Sequence, residues 1–268
     1  MKDIVSKFSV GGMEVNIMPV MDGDIFSKFD ESTLPPVLPI LALRNAVLFP
    51  GTVYPVTIGR EKSIRLIRDV EKRDGLLGAV PQTDITVEEP LEKDLYEYGT
   101  VAKVIKTIEM PDGTLTVILQ GIKRLALESV ISFDPYIIAR VTYIDDIMPP
   151  VEGNQLKILM DSLKEKAGNI VKSSSFAPKE AVASLKSIDN YQFLVNFIAT
   201  TIEVENFSEK VGLLQHSDMQ VRGMKLLSVL ETQVQILRIK QEINQKVRSD
   251  IDQQQREYYL NNQLKTIQ

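Results

Sequence analysis

From Asp218 to Gln268 the chain carries no proline and a single glycine, Gly223. Proline breaks a helix interior and glycine weakens it, so little here opposes one continuous helix of about 50 residues, roughly 75 Å long. A rod of that length reaches beyond what one small domain can cover. Its apolar residues Ile236, Ile239, Ile243, Val247 and Ile251 recur three or four apart, with glutamines, Lys240, Lys246, Arg248 and Asp250 between them. So narrow an apolar stripe on a long helix suits pairing with another helix in coiled-coil fashion. The sequence reaches Gln268 without a capping residue, glycine or proline, and the helix is expected to lead into a further module.

Upstream of that helix the pattern changes twice. Residues 1–34, with Gly11-Gly12, scattered charges and one candidate strand from Met13 to Met18, read as a flexible leader. Leu34-Pro35-Pro36-Val37-Leu38-Pro39 then enforces extended chain, because each proline fixes φ and biases the residue before it. From 35 to 147 the pattern is β-rich, with strands expected over 38–43, 53–58, 76–80, 99–109, 115–120, 123–130 and 136–143. Pro111-Asp112-Gly113 supplies a tight hairpin turn, and Gly121 reads as a bulge that breaks a longer run. One helix is expected over 60–73, with Ile64, Ile67 and Val70 on one face and Asp74-Gly75 as its stop.

Met148-Pro149-Pro150-Val151-Glu152-Gly153 is a linker by composition, and the period beyond it is helical. Helices are expected near 155–172, 178–184, 191–202 and 208–214, with Pro178 in a first turn and Ser208 and Ser217 as N-caps. The fold class is therefore α+β: a small β-barrel or sandwich over 35–147, a helical bundle over 148–217, and the long helix over 218–268.

The chemistry the chain can perform is bounded by what it lacks. Cysteine is absent and His216 is the single histidine, which removes disulfides, thiol nucleophiles and histidine zinc clusters. No G-x-x-x-x-G-K-[ST] loop, S-x-x-K or G-x-S-x-G pattern is present, so neither a phosphate cradle nor a serine nucleophile is in view. His216, between two expected helices, reads as a loop or capping residue. The adjacent carboxylates Glu88-Glu89 and Asp145-Asp146 stand in polar, turn-like context and read as solvated surface. The net charge of −5 weighs against nucleic acid as the main ligand. No signal peptide opens the chain and no apolar run reaches the roughly 20 residues a membrane span needs. This fragment is expected to be non-catalytic, without metal or cofactor, and cytoplasmic.

Several stretches carry a resemblance. Leu38-Pro39-Ile40-Leu41-Ala42-Leu43-Arg44-Asn45 is followed by Leu48-Phe49-Pro50-Gly51 and Gly59-Arg60-Glu61-Lys62-Ser63. Gly99-Thr100-Val101-Ala102, Pro111-Asp112-Gly113-Thr114 and Gln120-Gly121-Ile122-Lys123-Arg124 come next, and the far end reads Gln255-Arg256-Glu257-Tyr258-Tyr259-Leu260-Asn261-Asn262-Gln263-Leu264-Lys265. In that order, from about Pro35 to Gln268, the chain resembles the N-terminal part of the Lon ATP-dependent proteases. The resemblance implies a PUA-like barrel, a helical bundle and a long helix approaching an ATPase module. It also implies a parent protease that forms a homohexamer, uses ATP and Mg, and cleaves misfolded and regulatory proteins with a serine–lysine pair. Those ATPase and protease residues would lie beyond residue 268. No family counterpart is placed for residues 1–34 on these motifs, and Asn262 stands where an acidic residue is common.

On this reading the chain engages unfolded or damaged protein segments and helps assemble the ring. Candidate substrate contacts are Phe49 in its loop and Arg60, Glu61 and Lys62 at a helix start. Candidate assembly contacts are Arg256, Tyr258, Tyr259, Leu260 and Leu264, since consecutive tyrosines point about 100° apart on a helix and one must face a partner. Two other classes stay open: a free-standing protein-interaction domain, and a PUA-like RNA-binding module using Lys123, Arg124 and Arg140.

Overall fold

The computed structural model describes residues 6–10, 13–17, 34–73, 75–150, 154–173 and 185–267; residues 6–10, 13–17, 252 and 256–267 are described by their backbone alone. The expected helix at 178–184 and the stop residue Asp74 lie outside the described residues. Strands β1 (Ser6–Val10) and β2 (Met13–Ile17) form an antiparallel pair, with Val10 opposite Met13. Alternating apolar residues, Phe8 and Val10 in one strand and Met13, Val15 and Ile17 in the other, mark the pair in the sequence.

The main sheet is built from β3 (Val37–Leu43), β4 (Val53–Ile58), β5 (Leu76–Pro81), β6 (Tyr98–Glu109), β7 (Leu115–Ser132) and β8 (Ile138–Ile144). It is mixed: β3 runs parallel to β5, and the remaining pairings are antiparallel. The strand order is β4-β7-β6-β5-β3-β8, and β7 also pairs with β8, so five of the strands complete a hydrogen-bonded circuit with β4 outside it. The parallel β3–β5 pair needs a crossover, and helix α1 (Glu61–Lys72) lies within it. Leu66, Ile67 and Val70 of α1 are buried against Leu41, Leu43, Leu77 and Val117 of the sheet. Period-two alternation sends Leu38, Ile40, Ala42, Val101, Leu125 and Ala139 into a separate cluster.

Strand β7 does not end at Gly121. It runs on to Ser132, and the ladder slips where Gly121 pairs with Ala102 and Lys123 with Val101. A Cβ on Gly121 would stand 2.4 Å from the Phe49 carbonyl oxygen, so the loop before β4 can approach this strand only over a glycine. Two further slips against β8, between Leu127 and Ser129 and between Val130 and Ser132, let one long strand bend far enough to pair with three neighbours.

After β8 come α2 (Asn154–Ser173), α3 (Tyr191–Thr201), α4 (Phe207–Gly212) and α5 (Met219–Ile267). Asn190 caps α3 by accepting from the Phe193 N–H at 2.8 Å. Asp218, not Ser217, caps α5: its Oδ1 accepts from the N–H groups of Gln220 and Val221. At the start of α4 the N-cap residue is Asn206 and not Ser208. The first three turns of α5 pack on α2 and α3 through Met219, Leu226 and Leu230. Farther along, Ile239, Ile243, Val247 and Ile251 stand 48–55% exposed.

Candidate functional site

The residues at the start of α1 do converge on a cavity. Arg60 precedes the helix in extended conformation, and Glu61 and Lys62 open its first turn. Together with Leu66 they form one wall of an open groove of about 350 Å³. The β5–β6 connection supplies Glu88, Glu89, Pro90 and Leu91, and the β7–β8 turn supplies Phe133, Tyr136 and Ile137. Leu91 and Phe133 are 50% and 37% exposed, so the groove offers apolar surface beside its charges. Its volume suits one or two side chains of an extended segment better than a folded surface.

Hydrogen bonds fix the charged rim. Arg60 donates from Nη2 to the Ala42 carbonyl at 2.9 Å and from Nη1 to the Glu88 carbonyl at 3.2 Å. Burial, and then the nearby Arg44, depress its pKa, while Glu88 partly offsets them. Arg44 pairs with the Glu88 carboxylate at 2.7 Å, and Lys62 with Glu89 at 2.8 Å. The Lys62 hydrogen bond and charge hold the Glu89 carboxyl below its usual range. The Glu88–Leu91 stretch is anchored on both sides. Buried Gln82 donates from Nε2 to the Val87 carbonyl at 2.7 Å, and Asp94 accepts from the Leu91 N–H at 2.9 Å.

Phe49 is not part of this groove. Its side chain is 0% exposed and belongs to the core shared with the helical bundle, so it offers no surface to a substrate. The loop that carries it is fastened to α3. The Phe49 N–H donates to Thr200 Oγ1 at 3.3 Å, and Asn196 Nδ2 donates to the Pro50 carbonyl at 3.1 Å. Thr52 Oγ1 donates to the Phe49 carbonyl at 2.6 Å and lies 3.0 Å from Thr200 Oγ1. With the Thr52 proton committed, the Thr200 hydroxyl is the donor between them. The side chains of Arg256, Tyr258, Tyr259, Leu260 and Leu264 lie outside the described residues.

Sequence reasoning missed a second cluster. Asp146, expected at the solvated surface, is only 9% exposed. Its Oδ1 accepts from Arg124 Nε at 2.6 Å and from Arg222 Nη2 at 2.7 Å, and its Oδ2 from Gln192 Nε2 at 3.0 Å. Arg124 also donates to the Leu214 carbonyl at 2.7 Å, and Arg222 to Asn196 Oδ1 at 3.2 Å. Burial pushes the Asp146 carboxyl up, but Arg222 and Arg124 outweigh it and the net shift is down. His216 lends its backbone carbonyl to Arg222 at 3.0 Å, while burial and then the neighbouring cations push its imidazole pKa down. Arg124 is 1% exposed, so the basic patch imagined from Lys123, Arg124 and Arg140 loses its central member. Lys123 pairs with Asp145 at 2.5 Å. Among the described residues no group of three or more His, Asp or Glu could hold a metal, and no helix is long and apolar enough to cross a membrane.

Comparison with known proteins places this geometry. The model of the ATP-dependent protease La (LON) substrate-binding domain matches residues 37–232. The Lon protease of Flavobacterium johnsoniae is 39% identical over 255 residues, 95% of this chain and 31% of that protein. The Lon protease of Porphyromonas gingivalis is 38% identical, with 94% and 30% covered, and that of Escherichia coli K12 is 30% identical, with 86% and 29% covered. The chain thus spans about a third of the length of these relatives. The N-terminal domain of a Mycobacterium avium complex Lon protease has a similar fold, with a TM-score of 0.56 at 17% identity, over 73% of this chain and 98% of that one. Lon N-terminal domain protein from Xanthomonas campestris superposes with a TM-score of 0.50 at 19% identity, over 72% and 97%. The match over 37–232 takes in the groove, the Asp146 cluster and the start of α5, and by it this chain belongs to the Lon protease substrate-binding domain family.

Proposed function

We propose that the chain is the substrate-engaging and assembly module of an ATP-dependent serine protease that degrades misfolded and regulatory proteins. The observation that carries this reading is the groove at the start of α1, where apolar Leu91 and Phe133 stand beside Arg60, Glu61 and Lys62. A shallow apolar cleft with a charged rim binds weakly and tolerates many sequences, as engagement of unfolded segments requires. Six copies in a ring would raise avidity without any one tight contact.

The functional division we propose is a PUA-like barrel over 35–147 that meets substrate, a helical bundle over 148–217 that fixes its pose, and a helix over 218–268 that transmits it. Residues 1–34 would stand apart from these. Arg256, Tyr258, Tyr259, Leu260 and Leu264 would pack at the joint with an ATPase module. That module would bind ATP and Mg, and the assembled homohexamer would work in the cytoplasm. No catalytic group is assigned within this chain.

The test is binding of the chain to one model protein held folded and, separately, permanently unfolded. Preference for the unfolded form, lost in Arg60→Glu and Lys62→Glu variants, is the expected result. Equal binding to both forms, or variants that bind as well as the parent, would overturn the assignment of the groove.

A further inference from the structure

We infer that Arg60 and Gln82 are positioning residues of the groove: they hold its far wall, which leads to Leu91, in the shape that receives an unfolded protein segment. The inference rests on the groove assignment proposed above and changes the part Arg60 plays in it. Arg60 is a brace within the site and not a charge offered to the ligand.

Residues 83–91 run from the end of β5 to the 3-10 turn Glu92–Asp94 without strand or helix. Their backbone carbonyls have no ladder to join and must find other donors. Two consecutive carbonyls are held from three directions. That of Val87 accepts from Gln82 Nε2 at 2.7 Å and from Arg44 Nη2 at 3.3 Å. That of Glu88 accepts from Arg60 Nη1 at 3.2 Å. Gln82 follows β5, Arg44 follows β3 and Arg60 precedes α1, so the wall hangs on three regular elements. Gln82 also donates to the Asp84 carbonyl, and Asp84 Oδ1 accepts from the Thr86 N–H at 2.8 Å, which closes the bend between them.

Arg60 is committed at both prongs of its fork. Its Nη2 donates to the Ala42 carbonyl at 2.9 Å, so the guanidinium ties β3 to the wall. Such a group acts through its shape, and a lysine, with a single nitrogen, does not reproduce the fork. Glu61 and Lys62 differ from it, because both stand exposed at the helix start. Gln82 makes the same point without any charge. It is 0% exposed and influences a ligand only through the wall it holds. An incoming segment then meets a wall already ordered, which strengthens binding.

The experiment measures binding of a permanently unfolded, fluorescently labelled protein by anisotropy at low and high salt. The chain is compared with Arg60→Lys, Arg60→Gln, Gln82→Met, the Arg60→Lys/Gln82→Met double variant and Phe133→Ser. Hydrogen exchange of the amides between Thr86 and Leu91 reads the wall in the same proteins without ligand. Each single change at 60 or 82 is expected to weaken binding about fivefold, since a smaller fraction of the groove stands in its receiving shape. The double variant is expected to lose no more than about tenfold, because both changes loosen one wall. Arg60→Gln should keep the salt dependence of the parent, and wall exchange should quicken in every variant at 60 or 82. Parental affinity in Arg60→Lys or Gln82→Met, a flatter salt dependence in Arg60→Gln, or unchanged exchange overturns the positioning role. So do losses that multiply to about 25-fold in the double variant. If Phe133→Ser still weakens binding in those cases, the groove assignment stands without the brace. Phe133→Ser at parental affinity shows instead that the groove assignment fails, and the positioning role with it.

Discussion

Arg222, in the first turn of α5, and Asp146, just beyond the end of β8, form an ion pair of 2.7 Å with side-chain exposures of 0% and 9%. The pair joins the β structure to the long helix at its root, and Arg124 from β7 shares the same carboxylate oxygen at 2.6 Å. One carboxylate thus serves two buried guanidinium groups, and carbonyls of Leu214, Asp145 and His216 satisfy further donors. Removing the acid leaves two cations in the interior without a counter-charge. Asp146→Ala is expected to destabilise the fold by about 3–5 kcal/mol, lowering Tm by about 10 °C in a thermal melt. A loss under about 1 kcal/mol would mean that the carbonyls alone carry the arginines.

A second junction lies at Gly223. A Cβ there would stand 2.0 Å from the Tyr191 hydroxyl oxygen and 3.4 Å from Leu159 Cδ2. That hydroxyl is committed to the Met219 carbonyl at 2.8 Å, so it cannot swing aside without giving up a buried hydrogen bond. Gly223→Ala is therefore expected to cost about 1–3 kcal/mol despite the better helix propensity of alanine. Gly212 is the internal control, because its Cβ would meet nothing within 4 Å. Gly212→Ala should be neutral or stabilise by up to about 1 kcal/mol in a urea titration. If both substitutions stabilise, Tyr191 relaxes freely and the contact does not lock α5 to α3.

Much of this architecture is legible in the sequence because its causes are local. Val and Ile alternation marks the strands, three- and four-residue spacing marks α1 and α5, and Pro111-Asp112-Gly113 marks a hairpin whose glycine has φ of 84°. What stays hidden depends on partners far away in the chain. Asp145 and Asp146 look alike in sequence, yet Asp146 is buried by arginines 22 and 76 positions distant, while Asp145 is 80% exposed. The Phe49 loop, a candidate contact by sequence, is covered by α3, whose Thr200 lies 151 positions on. Part of one wall of the groove, Arg60 to Lys62, is visible in the sequence. Its other walls come from 88–91 and 133–137, which only the sheet topology brings together.

Lys210 gives the fold a dependence on alkaline pH. Its Nζ donates to the Thr200 and Ile202 carbonyls at 3.0 and 2.9 Å, capping the end of α3 from inside the core. Burial pushes its pKa down to about 8 from 10.5, against a smaller opposing pull from Glu203. The folded chain therefore releases this proton earlier than the unfolded chain does. Between about 8 and 10.5 the unfolded state binds more protons, and stability rises with pH across that window. Below it both states are protonated and the slope vanishes. The two carbonyls favour the ammonium form and limit the gain to about 1–3 kcal/mol. The difference in stability between the chain and Lys210→Met, measured from pH 7 to 10, should widen in the chain's favour. A constant difference would mean that the ammonium stays charged throughout.

The apolar stripe of α5 has no counterpart surface among the described residues. Ile239, Ile243, Val247 and Ile251 recur every four residues, are 48–55% exposed, and lie beyond residue 232, where the family match ends. Burying a half-exposed isoleucine or valine contributes only about 1 kcal/mol, so four such residues support a weak association and not an obligate one. Sedimentation velocity is expected to show monomer at low concentration and a growing dimer fraction as concentration rises. Ile243→Asp with Val247→Asp should abolish the dimer and leave Tm unchanged, since neither residue belongs to a core cluster. Dimers that persist in the double variant would place self-association elsewhere, and monomers at every concentration would reserve the stripe for a different module.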